Sequence, residues 1–402
     1  MAGYSGEHEI VLVLVSVWTI ADVDGDHETE ESMRPFAIDW GLASLALGPL
    51  TGRPVMAYYY VTYKCTARCT FCNIPDGPMD VIPVSKYATT EQSIEHFRIL
   101  KSIGVRIIDF TGGEPLLKKN LPVLLKAAKD MGLATQLTTN CTLYPRRARE
   151  LHGLIDILNF SLVGPTASVH NPIRRDCSFD DVIRSMGIAR ELGEPYQLIF
   201  VLTNDNIDQL KPMIELTREH QAILKIQPEF DLFGNGNVDL SNVRAAEKMA
   251  RENNVYVNMA ETSIFETGNV KEDPRCRAAN AVIVVSPDGY VLYPCYHMVT
   301  TKIPLDRNFP KLVRSNKWKQ MQEEVGTFSF CDGCRNLCYL HPSFTYKYDR
   351  LFVLSALSDY RYLRERHRIE AERVAALAKH DEETAGEHEV TIPAPISMAA
   401  GR

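Results

Sequence analysis

The chain lacks any apolar run approaching the ~20 residues that a membrane-spanning helix needs. Its longest, residues 10–20, is broken by Ser16 and Thr19. No transmembrane segment is expected. Residues 1–9, ahead of that run, hold no Lys or Arg and carry Glu7 and Glu9, where an export signal carries positive charge, so a cytoplasmic location is expected. Positive charge is short in the whole chain: 44 Lys plus Arg stand against 51 Asp plus Glu, a net charge of −7. With no basic groove of interleaved aromatics either, a nucleic-acid partner is not expected. Internal repeats are also lacking. Cysteine is the exception. Ten cysteines are too few for a disulfide-dense scaffold of 402 residues and too many to be incidental, so their spacing decides what they do.

With 45% hydrophobic residues the chain has material for one large domain and a smaller one. Residues 1–54 read as an N-terminal extension, partly disordered. It holds an acidic stretch (Asp22, Asp24, Asp26, Glu28, Glu30, Glu31), an alternative start at Met33, and an apolar segment at 36–50 with Trp40, Leu42, Leu45, Leu47 and Leu50. That segment either caps the fold as core or lines an entrance for a hydrophobic substrate. From residue 55 strands alternate with helices. Strands are expected at 56–63, 105–110, 134–139, 157–162, 198–202 and 223–227, with helices at 90–103, 121–131, 145–152, 179–192 and 207–220. Thr89 with Gln92 forms a capping box, Asn120 caps the next helix, and Gly132 stops it. Such alternation means parallel pairing with helices outside. The fold class is therefore α/β, a partial (β/α)6 parallel barrel over 55–260. A hairpin (281–286, turn Pro287-Asp288-Gly289, 290–293) then marks a second, small unit over 261–345, followed by a helix at 346–380 and a disordered tail at 381–402. The mixed Glu and Arg content of that helix favours a solvated packing helix over peripheral membrane contact.

Cys65, Cys69 and Cys72 lie within eight residues at the end of the first strand. A C-x3-C-x2-C loop can wrap three thiolates around one face of a four-iron cluster and leave one iron open to a substrate. A closed zinc site is the alternative, but it wants a fourth ligand, and none has suitable local spacing. Some forty residues on stand Thr111-Gly112-Gly113-Glu114-Pro115 at the end of the next strand. Strand C-termini are where parallel α/β folds bind ligands. There glycines let the backbone approach closely and a carboxylate can hold an amine.

The C-x3-C-x-aromatic-C loop, with Phe71 in the aromatic place, together with the Gly-Gly-Glu turn, resembles the signature of the radical S-adenosylmethionine superfamily. The resemblance implies a 4Fe-4S cluster on Cys65, Cys69 and Cys72. It also implies S-adenosylmethionine contacts from Phe71, Gly112, Gly113, Glu114, Thr139, Asn140 and Ser161. The run Ser161-Leu162-Val163-Gly164-Pro165-Thr166, with His170, Arg174 and Phe179, is similar to a family pattern in which Asp stands at the place of Val163; Gly is usual at the place of Cys141. Cys141 and Cys177 read as buried small residues or free thiols.

A second group, Cys276, Cys295, Cys331, Cys334 and Cys338, occupies a 63-residue window. A hairpin delivering one cysteine and a C-x2-C turn delivering two can enclose a cluster that substitutes in part for a missing core. The arrangement resembles the twitch domain, the shortened SPASM domain, of radical S-adenosylmethionine enzymes. That resemblance implies one auxiliary 4Fe-4S cluster on Cys276, Cys295, Cys331 and Cys334, with Cys338 spare or an alternative ligand. Four thiolates also satisfy a closed zinc site.

The family's chemistry is reductive cleavage of S-adenosylmethionine to a 5′-deoxyadenosyl radical, which takes a hydrogen atom from an unactivated carbon. An auxiliary cluster would accept the substrate radical's electron. An oxidoreductase is expected, performing hydroxylation, dehydrogenation or crosslinking on a small-molecule biosynthetic intermediate, with a hydrophobic tetrapyrrole or isoprenoid lipid as candidates. An electron donor such as flavodoxin or ferredoxin would serve it. The alternatives are a peptide- or natural-product-modifying enzyme of the same superfamily, and a non-catalytic iron–sulfur or zinc electron carrier.

Overall fold

The computed structural model describes residues 52–72, 74–76, 82–230 and 238–386. The acidic stretch, the apolar segment 36–50 and the tail from 387 lie outside the described residues. The strands are β1 (Met56–Thr62), β2 (Ile107–Gly112), β3 (Ala134–Thr139), β4 (Ile157–Ser161), β5 (Tyr196–Leu202), β6 (Ile223–Pro228), β7 (Val255–Tyr256), β8 (Val282–Val285), β9 (Tyr290–Pro294) and β10 (Val299–Pro304). The helices are α1 (Thr90–Ile103), α2 (Leu121–Asp130), α3 (Tyr144–Leu151), α4 (Ala167–Arg174), α5 (Phe179–Glu191), α6 (Leu210–Glu219), α7 (Leu240–Lys248), α8 (Met259–Thr267), α9 (Ala278–Ala281), α10 (Phe309–Val313), α11 (Asn316–Glu324), α12 (Leu337–Ser343) and α13 (Arg350–Gly386).

Local chemistry sets most boundaries. Thr89 Oγ1 accepts from Gln92 N and Gln92 Oε1 accepts from Thr89 N, so the capping box that opens α1 is formed. Gly132 follows α2 at φ +72°, a conformation that favours glycine. Asn120 departs from expectation: it stands at the start of α2, but its amide bonds the Thr90 hydroxyl and caps nothing. Pro122, in the first turn, has already removed one of the N–H groups a cap would satisfy.

The sheet order is β10-β9-β8-β1-β2-β3-β4-β5-β6-β7. All pairings from β8 through β1 to β7 are parallel. The expected six-strand barrel is thus extended by β7 at one side and by β8, which bonds β1, at the other. The C-terminal hairpin expected as part of a separate small unit continues the same sheet, and β10 adds an antiparallel strand that the sequence pattern did not reveal. The strands alternate in environment. Ile108, Phe110, Leu137, Leu158, Phe160, Leu198, Phe200, Leu224 and Ile226 are 0–2% exposed, each contributing about 1.5–3 kcal/mol by burial. Their neighbours on the opposite face, Tyr58 and Tyr60 of β1, Gln136 and Thr138 of β3, and Lys225 and Gln227 of β6, keep part of their surface accessible. The inner face of the curled sheet is therefore an accessible, largely polar lumen.

Helix α13 packs against the N-terminal ends of the strands. Tyr362 donates to Gln197 Oε1 at 2.9 Å, Arg366 donates to the Asp156 carbonyl at 3.1 Å, and the Arg373 guanidinium lies 4.4 Å from the Tyr196 ring centroid. It runs to Gly386, so residues 381–386, expected in the disordered tail, continue the helix. Among the described residues no helix is long and apolar enough to cross a membrane.

Candidate active site

The chain leaves β1 directly into the first cysteine loop. Cys65, Cys69 and Cys72 are half-buried on it. Cys72 N donates to Cys69 O at 3.1 Å, Thr70 N reaches Ile173 O at 2.9 Å, and Ala67 N points at Cys65 Sγ at 3.3 Å. Asn140, at the end of β3, holds the same loop from above, its amide donating to Thr66 Oγ1 at 2.9 Å and to Cys65 Sγ at 3.7 Å. Burial pushes the Cys65 thiol up to about 12, so the free thiol keeps its proton unless a cation stabilises the thiolate.

Gly112 and Gly113 lie against the backbone that leads into the cysteine loop. A Cβ on Gly112 would overlap the Thr62 carbonyl, and one on Gly113 would overlap the Lys64 backbone. Their close approach is to the chain's own main chain, where Gly113 N bonds Thr62 O at 3.0 Å and Glu114 N bonds Lys64 O at 2.8 Å. The Glu114 side chain, expected to hold an amine, is fully buried. Its Oε1 accepts from Thr139 Oγ1 at 2.9 Å and Leu116 N at 3.0 Å, and its Oε2 accepts from Asn140 N at 2.9 Å. With these acceptors engaged and no exposed surface, the carboxylate ties β2 to β3 and so fixes the cysteine loop. Thr139 is likewise committed to Glu114, and Ser161 is buried at the end of β4. Cys141, where the family pattern has Gly, sits at φ +70°.

Phe71 lies 5.7 Å from the Arg174 guanidinium carbon, so α4 reaches the loop. Arg174 is buried with Nε unpartnered among the described residues, and its charge acts on Glu114, Cys141 and Cys177. The sequence carried Arg174 only as part of a pattern; its role as a buried cation beside the loop needed the fold. Cys141 and Cys177 are both buried, and Cys177 pairs with Thr142 Oγ1 at 3.4 Å.

The second cysteine group divides. Burial is the main cause that raises the thiol of Cys276, with Cys334, Cys295 and Cys331 adding to it, so these four lie close enough to feel one another. Each receives main-chain N–H donors that favour its anionic form. Ala278 serves Cys276, Met298 and His297 serve Cys295, Gly326 and Phe328 serve Cys331, and Asn336 serves Cys334. Cys338 stands apart. Its thiol is pushed up to about 12 by burial, with Asp109 and Glu261 adding and Lys225 opposing, and its carbonyl accepts from the Tyr58 hydroxyl of β1 at 3.0 Å.

One residue that sequence reasoning missed ties three of the four together. Asn269 is fully buried; its Nδ2 donates to Gly326 O at 2.9 Å and Cys331 O at 3.1 Å, and its Oδ1 accepts from Arg275 N at 2.9 Å and Cys276 N at 3.0 Å. Its main chain bonds Cys334 O and Gly333 N, both at 2.8 Å. A lone Asn in an irregular segment carries no local signal for such a role. Among the described residues no three His, Cys, Asp or Glu side chains converge as they would around a single metal ion.

Tyrosines fill the space between the two groups. Tyr296, next to Cys295, stacks on Tyr60 of β1 at 4.7 Å and 4°, and Tyr63, two residues before Cys65, packs on both.

Comparison with known proteins agrees with this geometry. Residues 59–217 match the family model of the Radical SAM superfamily. A probable GTP 3′,8-cyclase of Thermoplasma volcanium is 31% identical over 188 residues, 45% of this chain and 56% of that protein. The GTP 3′,8-cyclase of Chlorobaculum tepidum is 33% identical over 183 residues, 42% of this chain and 52% of that protein. The chain spans about half the length of these curated relatives. Among solved structures, Streptococcus suis SuiB aligns with a TM-score of 0.54 at 16% identity, covering 85% of this chain and 87% of that one. Native anSMEcpe with bound AdoMet aligns at 0.52 and 16% identity, covering 81% and 100%. At these identities the likeness is one of fold. With the motifs at 65–72 and 111–115 placed on adjacent ends of a parallel sheet, residues 59–217 form a domain that matches the Radical SAM superfamily.

Proposed function

We propose that this protein is a radical S-adenosylmethionine enzyme that takes a hydrogen atom from an unactivated carbon of a substrate held in the barrel lumen, and that Cys276, Cys295, Cys331 and Cys334 would hold an auxiliary four-iron cluster, which would supply an acceptor for one electron. The net result is oxidation: hydroxylation, dehydrogenation or crosslinking. The observation that carries the reading is the set of four thiols, each met by main-chain N–H donors, packed through tyrosines against the strand that leads into the first cysteine loop. Thiolates with several N–H donors suit an iron–sulfur cluster.

With a 4Fe-4S cluster on Cys65, Cys69 and Cys72 and S-adenosylmethionine bound, the site supplies one-electron cleavage of the sulfonium and a 5′-deoxyadenosyl radical. The chain's own residues do the rest. Glu114, Thr139 and Asn140 fix the loop, Arg174 offers a buried cation for the cofactor's carboxylate, and Phe71 shields one side. Tyr362 donates to Gln197 and so ties α13 to β5 at the strand N-terminal end. A small redox protein such as flavodoxin or ferredoxin would deliver the electron. The polar inner wall argues for a substrate with a polar group in the lumen; a wholly hydrophobic tetrapyrrole or isoprenoid would leave Asp109 and Lys225 uncompensated. A second reading, favoured by the match to two GTP 3′,8-cyclases, is redox-neutral rearrangement of a nucleotide.

Anaerobic reconstitution tests both. Oxidation predicts about eight irons per chain, from two four-iron clusters, and 5′-deoxyadenosine under reduction. Replacing Cys65, Cys69 and Cys72 by Ala abolishes the nucleoside and leaves about four irons. Four irons in the wild type would refute the auxiliary cluster, and nucleoside formation by the triple variant would refute the mechanism. Turnover of GTP without net oxidation would establish the second reading.

A further inference from the structure

Below the cysteine loop the inner wall carries polar groups that neither cysteine set uses. Asp109 on β2 is 6% exposed; its Oδ2 accepts from Gln136 Nε2 at 2.9 Å, and its Oδ1 has no partner among the described residues. Lys225 on β6 is half-buried and forms no ion pair among the described residues, its ammonium resting 5.6 Å from the Tyr256 ring centroid. The Lys225 charge acts on Asp109, and both act on Cys338. In the sheet, β3, β4 and β5 separate β2 from β6, so the two side chains stand on different walls of the lumen, near enough for the Lys225 charge to act on Asp109. Their neighbours are already committed. Glu261 is tied to His341 at 2.7 Å, and the Tyr58 hydroxyl donates to the Cys338 carbonyl at 3.0 Å. What remains is one unmatched acceptor and, on another wall, one unmatched donor.

We propose that Asp109 and Lys225 form a subsite for a secondary amide of the substrate, whose N–H donates to Asp109 while its carbonyl accepts from Lys225. In a trans amide these two groups point in opposite directions, and so reach toward different walls. A carboxylate would answer only Lys225, and an ammonium only Asp109. The inference rests on the reading that substrate occupies the lumen, but amide binding needs no radical chemistry and is measured without it.

The experiment is saturation-transfer NMR on the full reconstituted chain with N-methylacetamide, N,N-dimethylacetamide, acetate and the cis lactam 2-pyrrolidone as probes. N-methylacetamide binds the wild type, and its affinity falls about tenfold in Lys225→Met and in Asp109→Leu, as loss of one charged hydrogen bond predicts. N,N-dimethylacetamide, which lacks the N–H, binds about tenfold more weakly than N-methylacetamide. Should Asp109→Leu not fold, Asp109→Asn replaces it, with a smaller but measurable loss because its carbonyl still accepts. Unchanged binding in a folded variant, equal binding of the two acetamides, or preference for acetate or 2-pyrrolidone overturns the proposal. Amide binding by a wild type that forms no 5′-deoxyadenosine would refute the proposed function and leave this subsite standing; nucleoside formation without amide binding would do the reverse.

Discussion

The two cysteine groups reach similar ends by opposite constructions. Cys65, Cys69 and Cys72 sit on one short loop, and the strands beside it hold them through Glu114, Thr139 and Asn140. Cys276, Cys295, Cys331 and Cys334 come from segments far apart in the chain, and buried Asn269 bonds the backbone of three of them, Cys276, Cys331 and Cys334. The first is a regular fold with a ligand loop at its edge. The second replaces regularity with one side chain that bonds several loops at once. A contiguous motif therefore announces itself in sequence, while a hub does not.

Breaking the hub should have the larger effect. Asn269→Ala leaves the Gly326 carbonyl and the Arg275 and Cys276 N–H groups without their partners, while Cys331 O keeps its bond from Cys334 N, a loss of about 3–4 kcal/mol at roughly 1 kcal/mol or more each. The second set then loses its iron while 5′-deoxyadenosine formation at the first persists, which iron analysis and nucleoside assay would separate. Equal loss at both would show that the sites are not independent. Glu114→Gln comes next. It places an amide where the carboxylate accepts three hydrogen bonds, confronting donor with donor and costing about 2–3 kcal/mol. The expected result is a lower thermal midpoint with iron lost selectively from the first set; iron loss from the second set alone would contradict the assignment. Cys141→Gly has the smallest effect. Relief of a positive φ, about 1 kcal/mol, offsets the lost packing of a buried thiol, so the midpoint should move little and the first cluster should remain.

The strands and helices of the barrel were legible because each carries its own period and punctuation: the predicted α1 and β3 bounds are those observed, and the capping box is formed. The cysteine motif was legible for the same local reason. What escaped depends on distant contacts. The pairing of β8 with β1 follows from the chain's return across the sheet, and β10 is too exposed to show alternation. Gly112, Gly113 and Glu114 were identified as important, but whether a glycine admits a ligand or the chain's own carbonyl is decided by what lies opposite. Cys338 shared a window with the other cysteines, yet α12 sets it beside Tyr58 of β1, where Asp109 and Glu261 act on its thiol.

The hydrogen bonding of β8 to β1 has a practical corollary. Truncating the protein after the alternating region, near residue 260, would strip one side of the strand that leads to Cys65 and leave its N–H and C=O groups as a bare border. Such a fragment is expected to self-associate through that border, so residues up to 260 need β8 to remain a well-behaved piece.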